Sequence, residues 1–198
     1  AMNLGFNFSG ELWFTKHWFM DLLVGYSTFS YLQTNTVVSD TAALPGASAS
    51  TRTIGFNGAY RFLIDSSIYG PQAIIRLGYY NFAWSVPIVP ETFQSPKTYH
   101  GLNIGVGGVL PVGGVNKGVL LNVNALLFSS MSEGDFKTGS NPSSTVANFY
   151  LAGYYFFSPR ISIRAGIFFD IFSTDFDDGK ANTNQKNIGF SPSLQYYF

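Results

Sequence analysis

The chain has 198 residues, with eleven Lys and Arg balanced by eleven Asp and Glu, and no cysteine. Only 11% of residues are charged, against roughly 25% in soluble domains, too few to cover a water-facing surface in the usual way. Balanced charge excludes the clustered basic surface that nucleic acid requires, and the lack of cysteine excludes disulfides and thiol chemistry.

Aromatic residues make up 18% of the chain, with 20 Phe and 12 Tyr, and there are 21 Gly. No apolar run reaches the roughly 20 residues of a transmembrane helix. A chain that crosses lipid without helices must close its sheet, because lipid offers no partner to free backbone groups. Composition therefore predicts an all-β, antiparallel, up-and-down transmembrane β-barrel, here as a single domain over residues 1–198. The competing reading is a soluble barrel or sandwich.

Period-two alternation marks nine segments. The first covers 3–14, with Leu4, Phe6, Phe8, Leu12 and Phe14 on one face and Asn3, Gly5, Asn7, Ser9 and Glu11 on the other. Thr15-Lys16-His17 links it to a second segment over 18–33, and a polar stretch runs on to Arg52. The third covers 53–64, with Ile54, Phe56, Tyr60, Phe62 and Ile64 opposite Thr53, Gly55, Asn57, Ala59 and Arg61. Asp65 to Pro71 turns into the fourth, 72–86, and a loop with Pro87, Pro90 and Pro96 leads to the fifth, 98–112. Gly113-Gly114-Val115-Asn116-Lys117-Gly118 is a turn by composition. The sixth is 119–131, and after the loop from Glu133 to Ser144 the seventh is 145–157. Ser158-Pro159 turns into the eighth, 160–173, and the polar run from Asp175 to Lys186 leads to the ninth, 187–198.

Short and long connections alternate, as the periplasmic turns and outer loops of membrane barrels do. Trp13, Phe14, Trp18, Tyr155, Phe157, Tyr196 and Phe198 gather at the short-turn ends, where an interfacial aromatic girdle belongs. Parity is the anomaly. Segments two to nine suffice for an eight-strand barrel with both ends on one side, which leaves 3–14 as an extra N-terminal strand. That strand is expected either as a lead-in or as part of ten strands in a longer parent of which this chain is the C-terminal part. Ala1-Met2 reads as a cloning remnant or a trimmed start, with a targeting segment expected to have been removed ahead of it.

The terminal stretch Leu194-Gln195-Tyr196-Tyr197-Phe198 alternates and finishes on an aromatic. In this it resembles the C-terminal sorting signal of the small bacterial outer-membrane β-barrels of the OmpA, OmpX and OmpW kind. The glycine usual within that signal is displaced, with Gly189 farther upstream and Ser193 nearer. The hairpin Phe14-Thr15-Lys16-His17-Trp18 also resembles the periplasmic turns of that class. The resemblance covers nearly the whole chain as architecture. It implies an address in the bacterial outer membrane with the C-terminus periplasmic and the long loops outside. It implies as partners the surrounding lipid and lipopolysaccharide and the barrel assembly machinery, which reads Leu194, Tyr196 and Phe198.

Candidate chemistry lies in the lumen. The registers point Glu11, Asp21, Arg61, Arg76, Arg164 and Asp170 inward, with Asn57, Asn103, Asn122, Asn124 and Gln195 as neutral companions. Inward charges must pair, which predicts an Arg–carboxylate plug; a gate for ions or a charged solute is the functional alternative. His100 lies near an outer strand end, where a rim enzyme acting on lipid would place its base, with Asp175, Asp177 or Asp178 as its partner. His17 sits in a turn. Asp175-Phe176-Asp177-Asp178-Gly179 has oxygen-rich alternation but lacks calcium-loop spacing, so no metal or cofactor is expected. The loop Thr41 to Ser50 is small and nearly uncharged, and Gly101, Gly105, Gly107 and Gly108 are expected to relieve crowding in the fifth segment. The sequence thus reads as a barrel acting as membrane anchor or as surface structural or adhesive module with a charge-plugged lumen. A narrow passive pore for small or apolar solutes and a lipid-modifying rim enzyme are the alternatives.

Overall fold

Nine antiparallel strands pair in chain order: β1 (Asn3–Trp13), β2 (Trp18–Tyr31), β3 (Ala47–Leu63), β4 (Gln72–Ser85), β5 (Lys97–Pro111), β6 (Lys117–Glu133), β7 (Ser143–Ser158), β8 (Ile161–Asp175) and β9 (Asn182–Tyr196). The computed structural model describes residues 3–31, 47–85, 96–133, 142–176 and 182–196. The sheet curls into a half-barrel. Phe82 on β4 stacks on Phe172 on β8 at 4.4 Å, which requires the sheet to bend its concave face back on itself across four strand spacings.

β1 is no appendage. It pairs with β2 along its whole length, from Asn3 opposite Phe29 to Trp13 opposite Phe19. The eight strands and the extra N-terminal strand expected from strand counting join in one nine-stranded sheet, in which β2 has a strand on each side. Among the described residues, no strand lies beside the outer edge of β1 or of β9. β3 begins at Ala47, inside the stretch read from sequence as a loop, because its small residues pair with β2: Tyr31 faces Ala47 and Phe29 faces Ala49. β9 likewise begins at Asn182.

The register shows how strongly the strands tilt. One row of directly paired residues starts at Trp13, the last residue of β1. It passes through Phe19, Ala59, Arg76, Gly105, Asn124, Asn148 and Asp170 and arrives at Asn187. Asn187 lies nine residues before Tyr196, the end of β9. Eight spacings of about 4.8 Å against nine rises of about 3.4 Å give a tilt of about 40° if the short-turn ends are level. Closed barrels have tilts of roughly 35–45°.

The short connections are locally determined. In the β1–β2 turn, Thr15 Oγ1 accepts from the amides of His17 (3.1 Å) and Trp18 (3.0 Å). In the β5–β6 turn, Gly113 and Gly114 have φ of 67° and 140°, a region that side chains strain to occupy.

Candidate functional site

The two faces divide cleanly. Over the middle of every strand the convex face is apolar, for example Ile54, Phe56 and Phe62 on β3, Ile104 and Val106 on β5, Ile161, Ile163 and Ile167 on β8. All of these but the half-buried Ile54 stand exposed; Ile188 and Leu194 on β9 reach 78% and 75%. Charged residues at convex positions, such as Arg52 and Lys186, fall nearer the long-loop ends. All six charged residues expected in the lumen, Glu11, Asp21, Arg61, Arg76, Arg164 and Asp170, occupy concave-face positions.

Among them Arg76 and Asp21 pair directly, Arg76 Nε to Asp21 Oδ2 at 3.0 Å. Amides extend it. Asn57 Nδ2 donates to Asp21 Oδ1 at 2.5 Å, Asn103 Nδ2 donates to Asn57 Oδ1 at 2.7 Å, and Arg76 Nη1 donates to Asn122 Oδ1 at 2.9 Å. Farther round, Asn124 Nδ2 donates to Asn148 Oδ1 at 3.2 Å, and Asn148 Nδ2 donates to Asp170 Oδ1. The result is a belt of amides and charges across the concave face from β2 to β8. Glycines make room for it. A Cβ at Gly78 would meet Asn57, one at Gly105 would meet Asn124, and one at Gly107 would meet Asn122. Gly105 and Gly107 therefore do relieve crowding, while Gly108 faces outward.

Arg61 works elsewhere. Its guanidinium donates twice to the Lys16 carbonyl, at 3.0 and 2.6 Å, and lies 4.0 Å over the Trp13 ring. Its backbone closes the clamp: Arg61 N–H donates to His17 O at 2.8 Å, and His17 Nδ1 contacts Arg61 O at 2.9 Å. His17 is thus a brace between the first turn and β3. Glu11 accepts from Trp13 Nε1 at 3.2 Å, and Arg164 stands opposite Tyr154 and Ser193.

Trp13 leaves the expected girdle. Period two places it on the face of Glu11, and it stacks on Phe19 at 4.1 Å. Phe14, Trp18, Tyr155, Phe157 and Tyr196 stay exposed near the short turns, joined by Tyr60 and Phe62, whose rings meet edge-on at 4.7 Å. Leu194 and Tyr196 of the expected assembly signal point outward, and Phe198 lies outside the described residues.

Sequence reasoning missed the largest feature of the interior. Toward the long-loop end the concave face is filled by an apolar cluster of Phe82, Tyr99, Leu126, Met131, Val146, Phe172 and Phe176, with Tyr80 and Trp84 packed against it. A smaller cluster of Phe19, Ala59 and Ile74 lies toward the short turns. The charged belt is therefore one layer of the filling, between two apolar layers. The signal was present as the doublets Tyr79-Tyr80 and Phe168-Phe169, which put an aromatic on each face at once.

At the long-loop end, His100 and Ser130 face each other directly, and Ser130 Oγ lies 2.7 Å from His100 Nε2. The contact depends on a β-bulge: between His100 and Leu102 the register skips two residues of β6, which turns Ser130 outward beside the imidazole. Of the acidic partners considered for His100, Asp175 ends β8 and Asp177 and Asp178 lie outside the described residues, as does the glycine of that acidic run. Among the described residues no group of acidic and histidine side chains is placed to hold a metal. Comparisons with protein-family models, curated proteins and solved structures find no match for this chain.

Proposed function

We propose that the chain is the wall of a bacterial outer-membrane β-barrel whose filled interior makes it an anchor or surface module rather than an open pore. The observation that carries this reading is the convex face. Its positions carry no Asp, Glu, Lys or Arg over eleven-residue spans such as Ile54–Ile64 and Ile161–Ile171, and Phe56, Phe62, Ile64, Ile161, Ile163 and Ile167 stand exposed there. At a tilt near 40° each span rises roughly 25 Å, the height of the apolar band of membrane barrels. Burying that surface in lipid is favourable at about 25 cal/mol per Å², whereas water would drive it to aggregate. Aromatic rings at the short-turn border support a membrane interface there. On this reading the short turns are periplasmic, the long loops are external, and the partners are lipid, lipopolysaccharide and the barrel assembly machinery. The three-layered filling supports an anchor over a passive pore for small or apolar solutes.

The expected result is that the chain floats with lipid vesicles, shows a β-type circular dichroism spectrum, and migrates differently before and after boiling on detergent gels. A chain that stays monomeric and soluble without detergent would sink the proposal.

The Ser130–His100 contact favours a second reading, an acyl hydrolase at the outer rim. His100 Nε2 would take the Ser130 proton as Oγ attacks an ester carbonyl of a lipid; the alcohol leaves with that proton, and water then frees the acyl group from Oγ. Lipid from cells expressing the wild-type chain should then lose an acyl chain by mass spectrometry, and His100→Ala and Ser130→Ala should each abolish the loss. Identical lipid masses in wild type and variants would remove this reading.

A further inference from the structure

We infer that Asn81 positions His100 for proton transfer, so that the outer-rim site is a row of three side chains, Asn81, His100 and Ser130, that takes the ester of a long-chain acyl lipid. The inference rests on the rim-hydrolase reading above and adds to it an orienting residue and a substrate class.

The row is set by register. Asn81 on β4 faces His100 on β5, and His100 faces Ser130 on β6. All three stand on the convex face, since their sequence neighbours Phe82, Tyr99 and Met131 point inward into the apolar cluster. Direct partners on one face of an antiparallel pair have Cβ atoms about 4.5–5.5 Å apart, so the imidazole is within reach of both flanking side chains. Nε2 is taken by Ser130 Oγ at 2.7 Å. The other ring nitrogen, Nδ1, has no partner among the described residues, and neither has the Asn81 amide. Asn81 is half-buried, with Ile54 opposite it on β3 and Tyr79 and Ala83 two residues away along β4. His100 is therefore the polar side chain that Asn81 directly faces.

Proton bookkeeping gives Asn81 its role. For Nε2 to take the Ser130 proton, the ring's own proton must sit on Nδ1 and the ring must stay turned toward Ser130. A side-chain oxygen beside Nδ1 fixes both the tautomer and the orientation. Asn81 Oδ1 is the acceptor that the register supplies. Being neutral, it holds the ring without favouring the imidazolium as a carboxylate would. No charged residue directly faces His100 on either neighbouring strand, and Arg52 lies on the same face opposite Ala83, two residues beyond Asn81.

The next row toward the short turns specifies the substrate. Tyr79, Leu102 and Leu127 face one another across the same three strands and stand exposed, and Ile104 and Val106 continue the apolar strip along β5. On the other side of His100 and Ser130 the same face turns polar, with Thr98 opposite Ser132. An acyl chain lying along the strip brings its ester carbonyl to Ser130 Oγ with the alcohol portion toward the long loops. Oγ attacks the carbonyl carbon, its proton passes through Nε2 to the leaving alcohol, and water then frees the fatty acid from Oγ.

The probe is 4-nitrophenyl palmitate dissolved in the detergent micelles that hold the folded chain. The wild-type chain should hydrolyse it and Ser130→Ala should not. Asn81→Ala should lower kcat at least about tenfold with KM little changed, a smaller loss than the roughly 10²–10⁴-fold supplied by a general base itself. Asn81→Asp should keep the activity and move the acid limb of the pH–rate profile to higher pH. A carboxylate beside Nδ1 raises the imidazole pKa, and the base acts only when unprotonated. An Asn81 that merely supports the fold would leave that limb in place, and the near-isosteric Asn81→Asp keeps this readout even where Asn81→Ala fails to fold. Ser130-dependent hydrolysis that runs at the wild-type rate in Asn81→Ala, or an acid limb unmoved in Asn81→Asp, overturns the inference and leaves the rim hydrolase standing. No hydrolysis by the wild-type chain, or hydrolysis that survives Ser130→Ala, removes both.

Discussion

Phe172→Ala is expected to lower the unfolding free energy by about 3–5 kcal/mol, the range for deleting a fully buried ring. Phe172 is 1% exposed, stacks on Phe82 at 4.4 Å, and lies 5.1 Å from Tyr99, so its loss removes the ring that joins β8 to β4 and β5 across the interior. Urea titration of the protein in detergent micelles, followed by tryptophan fluorescence, measures the change. The same substitution tests the filled lumen. The wild-type chain should give no reproducible single-channel steps in a planar bilayer, whereas Phe172→Ala should give brief openings, because the void sits in the thickest apolar layer. Phe172→Leu keeps much of the volume and should cost less than half as much and stay silent. A wild-type chain that conducts steadily, with conductance unmoved by Phe172→Ala, would place the permeation path elsewhere and defeat the anchor reading. Phe190→Ala is the control. Its ring is 67% exposed on the convex face, so it should leave the interior closed.

The contrast between Phe172 and Phe190 shows which part of this fold is legible in sequence. Alternation is a local property, so Leu4, Phe6 and Phe8 against Gly5, Asn7 and Ser9 declare a strand and its two faces without knowledge of the partner. The belt residues Asn57, Asn103, Asn122 and Asn124 were readable for the same reason, as polar residues in phase with glycines. What alternation does not record is which side chains meet across the interior. Arg61 and Arg76 look alike in sequence, yet the first reaches back to the Lys16 carbonyl and the second reaches Asp21. That difference comes from the tilt, which brings β3 to the first turn at Arg61 and places Arg76 midway up. Tyr80, Phe82 and Trp84 stand on the face of Arg76, so period two places them inside, but it does not say that they meet Tyr99 and Phe172 there. The Ser130–His100 contact required the bulge near Gly101, which depends on two strands at once. The start of β3 was missed because Ala47, Ser48 and Ala49 lack β-forming side chains; their strand state comes from pairing with β2.

Arg76→Leu should produce the second large effect, and its sign can be worked out from the belt. Arg76 and Asp21 are only 12% and 18% exposed, so removing the cation leaves a carboxylate with amide donors and little water. Breaking a fully buried pair costs about 3–5 kcal/mol, and the residual exposure here brings the expected loss to about 2–3 kcal/mol. Glu11 adds to it, since it sits directly opposite Asp21 and would then face it with no guanidinium between β2 and β4. Asn122 loses its donor as well, which uncouples β4 from β6. Asp21→Asn in the Arg76→Leu background should recover part of the loss, because an amide keeps the hydrogen bond with Asn57 and removes the unpaired charge. Urea titration of the two single variants and the double variant gives the coupling directly. Equal and additive losses would mean the 3.0 Å contact contributes nothing. The same belt predicts ion preference. In the Phe172→Ala background, openings should be weakly selective with Arg76 present and cation-selective once Arg76→Leu leaves Glu11 and Asp21 as the charges on β1 and β2 at that level. The reversal potential across a potassium chloride gradient reads this out, and a shift toward anions would show that these carboxylates do not line the path.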